Sequence, residues 1–91
     1  MYKYAVEFFG TIILLFIIIA TENPLAIGAA LSIIVYFGGP ISGGDYNPAV
    51  TLLMVLSGKL PREELIPYII AQVAAAIVVS VIYQRVYDYS S

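Results

Sequence analysis

Three long apolar stretches and one short one run along this chain, separated by glycine, proline and clusters of polar residues. The first, Tyr4 to Ala20, is almost entirely apolar, and Ile12 to Ala20 carries no polar side chain. A short signal peptide has a similar profile. Glu7 interrupts its start, however, no basic region precedes it beyond Lys3, and no small-x-small site follows, so it is read as a membrane span. Thr21-Glu22-Asn23-Pro24 predicts a turn with proline opening the next helix. That second span is expected over about 24–38, ending at Gly38-Gly39-Pro40. Lys59-Leu60-Pro61-Arg62-Glu63-Glu64 is the strongly polar linker before a third span over about 63–87. Glu63 and Glu64 suit the positive N-terminal end of that helix, and Pro67 falls within its first turn or so.

The short stretch lies between the second and third spans. Asn47 is a good N-cap and Pro48 suits the first helical position, where its missing N–H costs nothing. The run Val50-Thr51-Leu52-Leu53-Met54-Val55-Leu56 then continues to Ser57-Gly58, a natural stop. A helix of roughly ten residues is about 15 Å long, against a hydrocarbon core of about 30 Å. It crosses half a membrane. The preceding Gly38-Gly39-Pro40-Ile41-Ser42-Gly43-Gly44 is poor helix and poor strand, and at membrane depth such backbone must line a cavity or be buried in protein. The expectation is a re-entrant loop and half-helix over about 39–58. Its N-terminus would point about half a positive charge at the bilayer centre.

Composition agrees with the pattern. The 91-residue chain is 62% hydrophobic and 11% charged, which argues against a soluble domain with a solvated surface. With no cysteine and no histidine it lacks a disulfide framework, a thiol nucleophile, the usual base and the commonest metal ligands. No cofactor and no enzymatic chemistry are expected. A net charge of −2 with four scattered Lys and Arg argues against nucleic acid as a partner. Tyr2 and Tyr4 at one end, and Tyr83, Tyr87 and Tyr89 at the other, read as interfacial belts. Gly28 with Ser32, Ala71 with Ala75, and Ala76 with Ser80 are small residues four apart, a spacing that permits close helix packing. The expected fold is thus all-α and integral to the membrane: three transmembrane helices plus one re-entrant half-helix, in one repeat covering 1–91.

Glu7-Phe8-Phe9-Gly10-Thr11, then Ile41-Ser42-Gly43-Gly44 leading into Asn47-Pro48-Ala49-Val50-Thr51-Leu52, then Ala71-Gln72 resemble, in order and spacing, the first half of the aquaporin and glycerol-facilitator family. Members carry two such halves in one chain, inverted relative to each other, an internal symmetry common in transport folds. The resemblance implies a passive channel for water or small neutral solutes such as glycerol. One half cannot close a pore. Two copies inserted in opposite orientations would rebuild it as an inverted homodimer with its Asn-Pro-Ala half-helices end to end. Four such dimers, eight chains, would match the family's assembly. A separate partner chain supplying the other half is equally economical, and a non-conducting scaffold that packs against a full-length relative is the reading of a different class. Lys3, Lys59 and Arg62 on one side against Arg85 on the other give a three-to-one positive count that favours the orientation of an ordinary first half; with so few charges the bias is modest, so insertion in both orientations is compatible with it but not demanded.

The resemblance also assigns roles. Asn47, Pro48 and Ala49 would form the pore-centre motif, with the Asn47 side-chain amide donating to the permeant molecule. A simple N-cap is the bland alternative. The two positive helix ends would repel cations. Carbonyls of Gly43, Gly44 and Asp45 would form an acceptor ladder leading in. Glu7 and Gln72 would support the loop, although Glu7 snorkelling to the surface beside Lys3 is the competing reading. Asp45 stands where many members carry histidine, either attracting cations to the mouth or capping a turn. The selectivity filter would align with Ile27, Val35, Gly44 and Val50. No arginine follows Ala49, so a wider, more apolar constriction and easier glycerol passage are expected.

Overall fold

The computed structural model describes residues 2–87; the sequence-based assignment of Tyr89 to an interfacial belt lies outside them. Four α-helices form: α1 over Tyr2–Thr21, α2 over Pro24–Ser42, α3 over Pro48–Leu56 and α4 over Leu65–Tyr87, the last preceded by a 3₁₀ turn at Arg62–Glu64. Among the described residues, three helices are long and apolar enough to cross a membrane, spanning Tyr2–Thr21, Pro24–Ser42 and Arg62–Tyr87. No strand occurs among the described residues. The chain is an all-α membrane protein. α1 packs between α2 and α4, and α3 packs against α4.

Local chemistry sets the boundaries. Asn23 caps α2 by accepting the N–H groups of Leu25 and Ala26 at 2.9 and 3.1 Å, and Pro24 opens the helix. The sequence pattern ends this helix near Gly38, yet α2 continues to Ser42 with Pro40 inside it. Proline there lacks the N–H that would bond the Tyr36 carbonyl, yet the helix runs two residues past it. Gly43, at φ 93°, then stops the helix and donates its N–H to the Gly39 carbonyl at 2.8 Å. Gly38 is a packing site rather than a breaker. A side chain on Gly38 or Gly10 would occupy the space of the Tyr46 ring.

The core inverts the soluble pattern. Buried apolar residues are Ile34, Tyr46, Tyr68, Ala75 and Val79, while Glu7, Thr11, Ser42, Asp45, Thr51, Glu64 and Gln72 are also buried, and large apolar side chains such as Leu25, Ile33, Ile70 and Ile77 face outward. A hydrocarbon solvent favours that arrangement, because polar groups must find partners inside. Of the small-residue pairs, Ala75 is fully buried at a helix contact. Gly28 and Ser32 are exposed, Gly28 has open space around it, and the Ser32 hydroxyl bonds back to the Gly28 carbonyl. That pair does not pack helices within one chain.

Glu64 is not simply an acidic residue facing a helix end. Its carboxylate pairs with the Lys3 ammonium and accepts the Tyr4 hydroxyl at 2.7 Å, tying the start of α1 to the start of α4.

Candidate functional site

The segment Gly43–Asn47 links the end of α2 to the start of α3 without regular structure. Its backbone donors would be orphaned at membrane depth unless the protein supplied acceptors. Glu7, fully buried on α1, supplies them. One carboxylate oxygen accepts the Tyr46 N–H at 2.8 Å and the Gln72 side-chain amide at 3.1 Å. The other accepts the Asp45 N–H at 3.1 Å and the Ser42 hydroxyl at 2.7 Å. Four donors satisfy the charge without a cation. Glu7 does not snorkel to the surface.

The Gly44 N–H donates to Ser42 Oγ at 3.1 Å. Three consecutive peptide units therefore aim their N–H groups at Ser42 or Glu7. In a planar trans unit the N–H and C=O point opposite ways, so the carbonyls of Gly43, Gly44 and Asp45 face away from Glu7 and α1. The Ser42 carbonyl is used differently, accepting the buried Tyr68 hydroxyl at 2.7 Å. Positive φ at Gly43 (93°) and Gly44 (67°) makes the turn possible, a conformation that glycine adopts without strain.

Tyr46 is the residue that sequence reasoning overlooked. Its φ of 55° is unusual for a bulky side chain. Three attachments hold it: the N–H on Glu7, the hydroxyl donating to the Ile34 carbonyl at 2.7 Å, and the ring in the slot left by Gly10 and Gly38. Tyr46 thereby fixes the direction in which Asn47 enters α3. Thr51, also overlooked, relays a hydrogen-bond chain. It accepts from Gln72 at 2.9 Å and donates to Asp45 Oδ2 at 2.9 Å. The available signal was a polar side chain inside a membrane segment, which by default has a role; Thr11, Ser42 and Thr51 all carried it.

Asn47 caps α3, its Oδ1 accepting the Ala49 N–H at 2.8 Å, and its carbonyl accepts the Thr51 N–H at 3.0 Å. The carbonyl end of the side chain is thus committed, and Asn47, Pro48 and Ala49 are all exposed. α3 has nine residues, about 14 Å at 1.5 Å per residue, and its positive end coincides with this exposed amide. Of the remaining candidates, Val35 lies against Gly44, its Cα 3.5 Å from where a Gly44 side chain would begin. Ile27 is eight residues back on α2, about 12 Å along the axis, and Val50 is half-buried on α3. Ile27 and Val35 thus stand about two helical turns apart on α2. Asp45 is buried and tied to Thr51, so it closes the internal network as well as edging the loop.

The family model described as major intrinsic protein matches residues 1–90. The chain belongs to the major intrinsic protein family. It is 43% identical over 89 residues to "Glycerol uptake facilitator protein-like 6" of Lactiplantibacillus plantarum, covering 88% of this chain and 41% of that protein. It is 44% identical over 66 residues to "Aquaglyceroporin AqpS" of Rhizobium meliloti, covering 72% of this chain and 28% of that protein. It is 40% identical over 95 residues to "Aquaporin Z" of Brucella melitensis, covering 88% of this chain and 42% of that protein. The chain therefore spans less than half the length of these curated relatives. No solved structure gives a significant match. As a major intrinsic protein with three candidate spans it is integral to the membrane.

Proposed function

We propose that this chain is one repeat of a passive channel for water and small neutral solutes such as glycerol, completed by a second, inverted copy. The observation that carries the reading is the state of Asn47. Its side-chain carbonyl is fixed by the Ala49 N–H, which orients the free NH₂ as a donor at the exposed, positive end of a helix too short to span a bilayer. A donor fixed there, beside a run of three carbonyls turned away from Glu7, offers a water or hydroxyl oxygen one partner and its hydrogens others. Solute thus exchanges hydrogen bonds with little loss. The two facing helix ends of an inverted pair raise the electrostatic cost of any cation, protons included.

The relatives are named as a glycerol uptake facilitator-like protein, an aquaglyceroporin and an aquaporin, which supports the same solute class. Asn47, Pro48 and Ala49 act at the pore centre; Gly43, Gly44 and Asp45 supply the carbonyl ladder; Glu7 and Gln72 hold the loop; Ile27, Val35, Gly44 and Val50 line the constriction. With Val50 in place of a fixed cation, that constriction is apolar and admits glycerol. Four inverted pairs side by side, eight chains, would form the particle. The test is swelling of vesicles containing the purified protein, first under a water gradient and then under glycerol. Both fluxes are expected above those of empty vesicles, whereas fast water flux with complete glycerol exclusion would contradict the solute assignment.

A further inference from the structure

A groove of about 350 Å³ runs along the outside of the protein between α1 and α2. The exposed Phe9 on α1 and Ile33 and Phe37 on α2 wall it, and the Tyr46 ring, seated against Gly10 and Gly38, forms its floor. Among the described residues, the Tyr46 hydroxyl is the one polar side-chain group in this lining, and it is spent on the Ile34 carbonyl at 2.7 Å. The groove follows α2 from Ile33 to Ile41, about 12 Å, most of one leaflet of a hydrocarbon core about 30 Å thick. Such a slot suits a hydrocarbon chain and offers a polar solute nothing.

At one end the groove meets charge. Ile41 also lines a second cavity, of about 420 Å³, and Lys3 in that cavity lies one turn before Val6 on the α1 face that borders the groove. Four charged groups line this second space. Lys3 and Glu64 pair with each other, and the buried Asp45 accepts the Thr51 hydroxyl. The exposed Lys59 ammonium has no hydrogen bond or ion pair among the described residues. An apolar slot of leaflet depth that opens onto an unpartnered cation has the form of a lipid with a negative head. We infer that the two spaces together seat an anionic phospholipid, its phosphodiester against Lys59 and one acyl chain in the groove. A zwitterionic headgroup carries its own cation beside the phosphate and gains less from the lysine. The bound chain rests on the Tyr46 ring, so the lipid braces from outside the residue that aims Asn47. The seat lies within one copy and stands apart from the pairing and channel readings.

The chain has no tryptophan, so Phe37→Trp places a single indole on the groove wall, and Ile33→Trp, read in parallel, places one farther along it. Fluorescence is measured in phosphatidylcholine vesicles containing a minor fraction of phosphatidylglycerol or of phosphatidylcholine with brominated acyl chains, which quench an indole on contact. Quenching by the brominated phosphatidylglycerol is expected to exceed that by the brominated phosphatidylcholine about threefold or more. Adding Lys59→Ala is expected to bring the two lipids level and Lys59→Arg to keep the preference. Arg62→Ala, which removes an exposed cation outside both linings, is expected to leave it unchanged. Equal quenching by the two lipids in the parent background, or equal loss of preference with Lys59→Ala and Arg62→Ala, overturns the seat. Inorganic phosphate that removes the preference at constant ionic strength overturns the lipid in favour of a free anion. Indoles quenched by neither lipid show the groove filled by protein, a second copy included, and overturn it as well.

Discussion

The Glu7 carboxylate accepts the backbone N–H of Tyr46 at 2.8 Å, across 39 residues of sequence. A charge on the first span thereby holds the residue that aims Asn47. This makes Glu7 a positioning residue for the loop, and its charge is useful because it accepts four donors at once. Glu7→Ala leaves those donors unpaired in the interior, at about 1–3 kcal/mol for each group. It is expected to cost several kcal/mol of stability in denaturant unfolding and to abolish solute flux. Glu7→Gln keeps one carbonyl but adds two donors where acceptors are needed, and is expected to be intermediate.

Gly10 and Gly38 make the slot for the Tyr46 ring. Gly38→Ala and Gly10→Ala overpack it and are each expected to destabilise by about 1–3 kcal/mol. Combining Gly38→Ala with Tyr46→Ala should cost less than the sum of the two single changes, because the clash partner is gone. Strict additivity in thermal unfolding would show that the ring does not sit between these glycines.

These two relationships separate what was legible in the sequence from what was not. The spans and the capped half-helix at Asn47 follow from local pattern, namely apolar run lengths and a capping residue before proline, and Glu7 stands out as an ionisable group in a membrane segment; Gln72 and the loop-supporting role of Glu7 came from the family resemblance. The continuation of α2 through Gly38, Gly39 and Pro40 does not follow from local pattern, because propensity there is overruled by the packing of Tyr46, a residue distant along the chain. The hydrogen-bond chain from Gln72 through Thr51 to Asp45 was hidden for the same reason. Each member has an ordinary local explanation, and only tertiary placement joins them. The family resemblance also grouped Ile27 with Val35, which stand about 12 Å apart along α2.

Backbone conformation gives a paired control. Gly43 and Gly58 both adopt positive φ, at 93° and 77°. Alanine at either position is expected to cost about 1–2 kcal/mol. Gly43→Ala should also reduce flux, since it reorients a carbonyl of the ladder, whereas Gly58→Ala, beyond the end of α3, should leave the flux per folded protein unchanged. Equal effects of the two on vesicle swelling would remove the ladder from the account.

Val50 stands directly after the Asn-Pro-Ala motif. Val50→Arg would place a fixed cation beside the half-helix tip and narrow the path. Glycerol permeability is expected to fall at least about tenfold, equivalent to a barrier about 1.4 kcal/mol higher. Water permeability should fall less, so the ratio of the two, measured in the same vesicles, is the informative quantity. A ratio unchanged by this substitution would mean that Val50 does not face the solute path.

The central claim is that the two halves of the pore are copies of this chain in opposite orientations, and the exposed, uncharged Ser57 just after α3 reports orientation without altering the Lys and Arg balance. Ser57→Cys would be the single thiol of the protein. A membrane-impermeant thiol reagent would be applied to sealed membrane vesicles from the producing cells, and then to vesicles opened to expose the lumen. Inverted pairing predicts labelling of about half the molecules from the outside and the remainder only after opening. Labelling of all molecules from one side alone would contradict it.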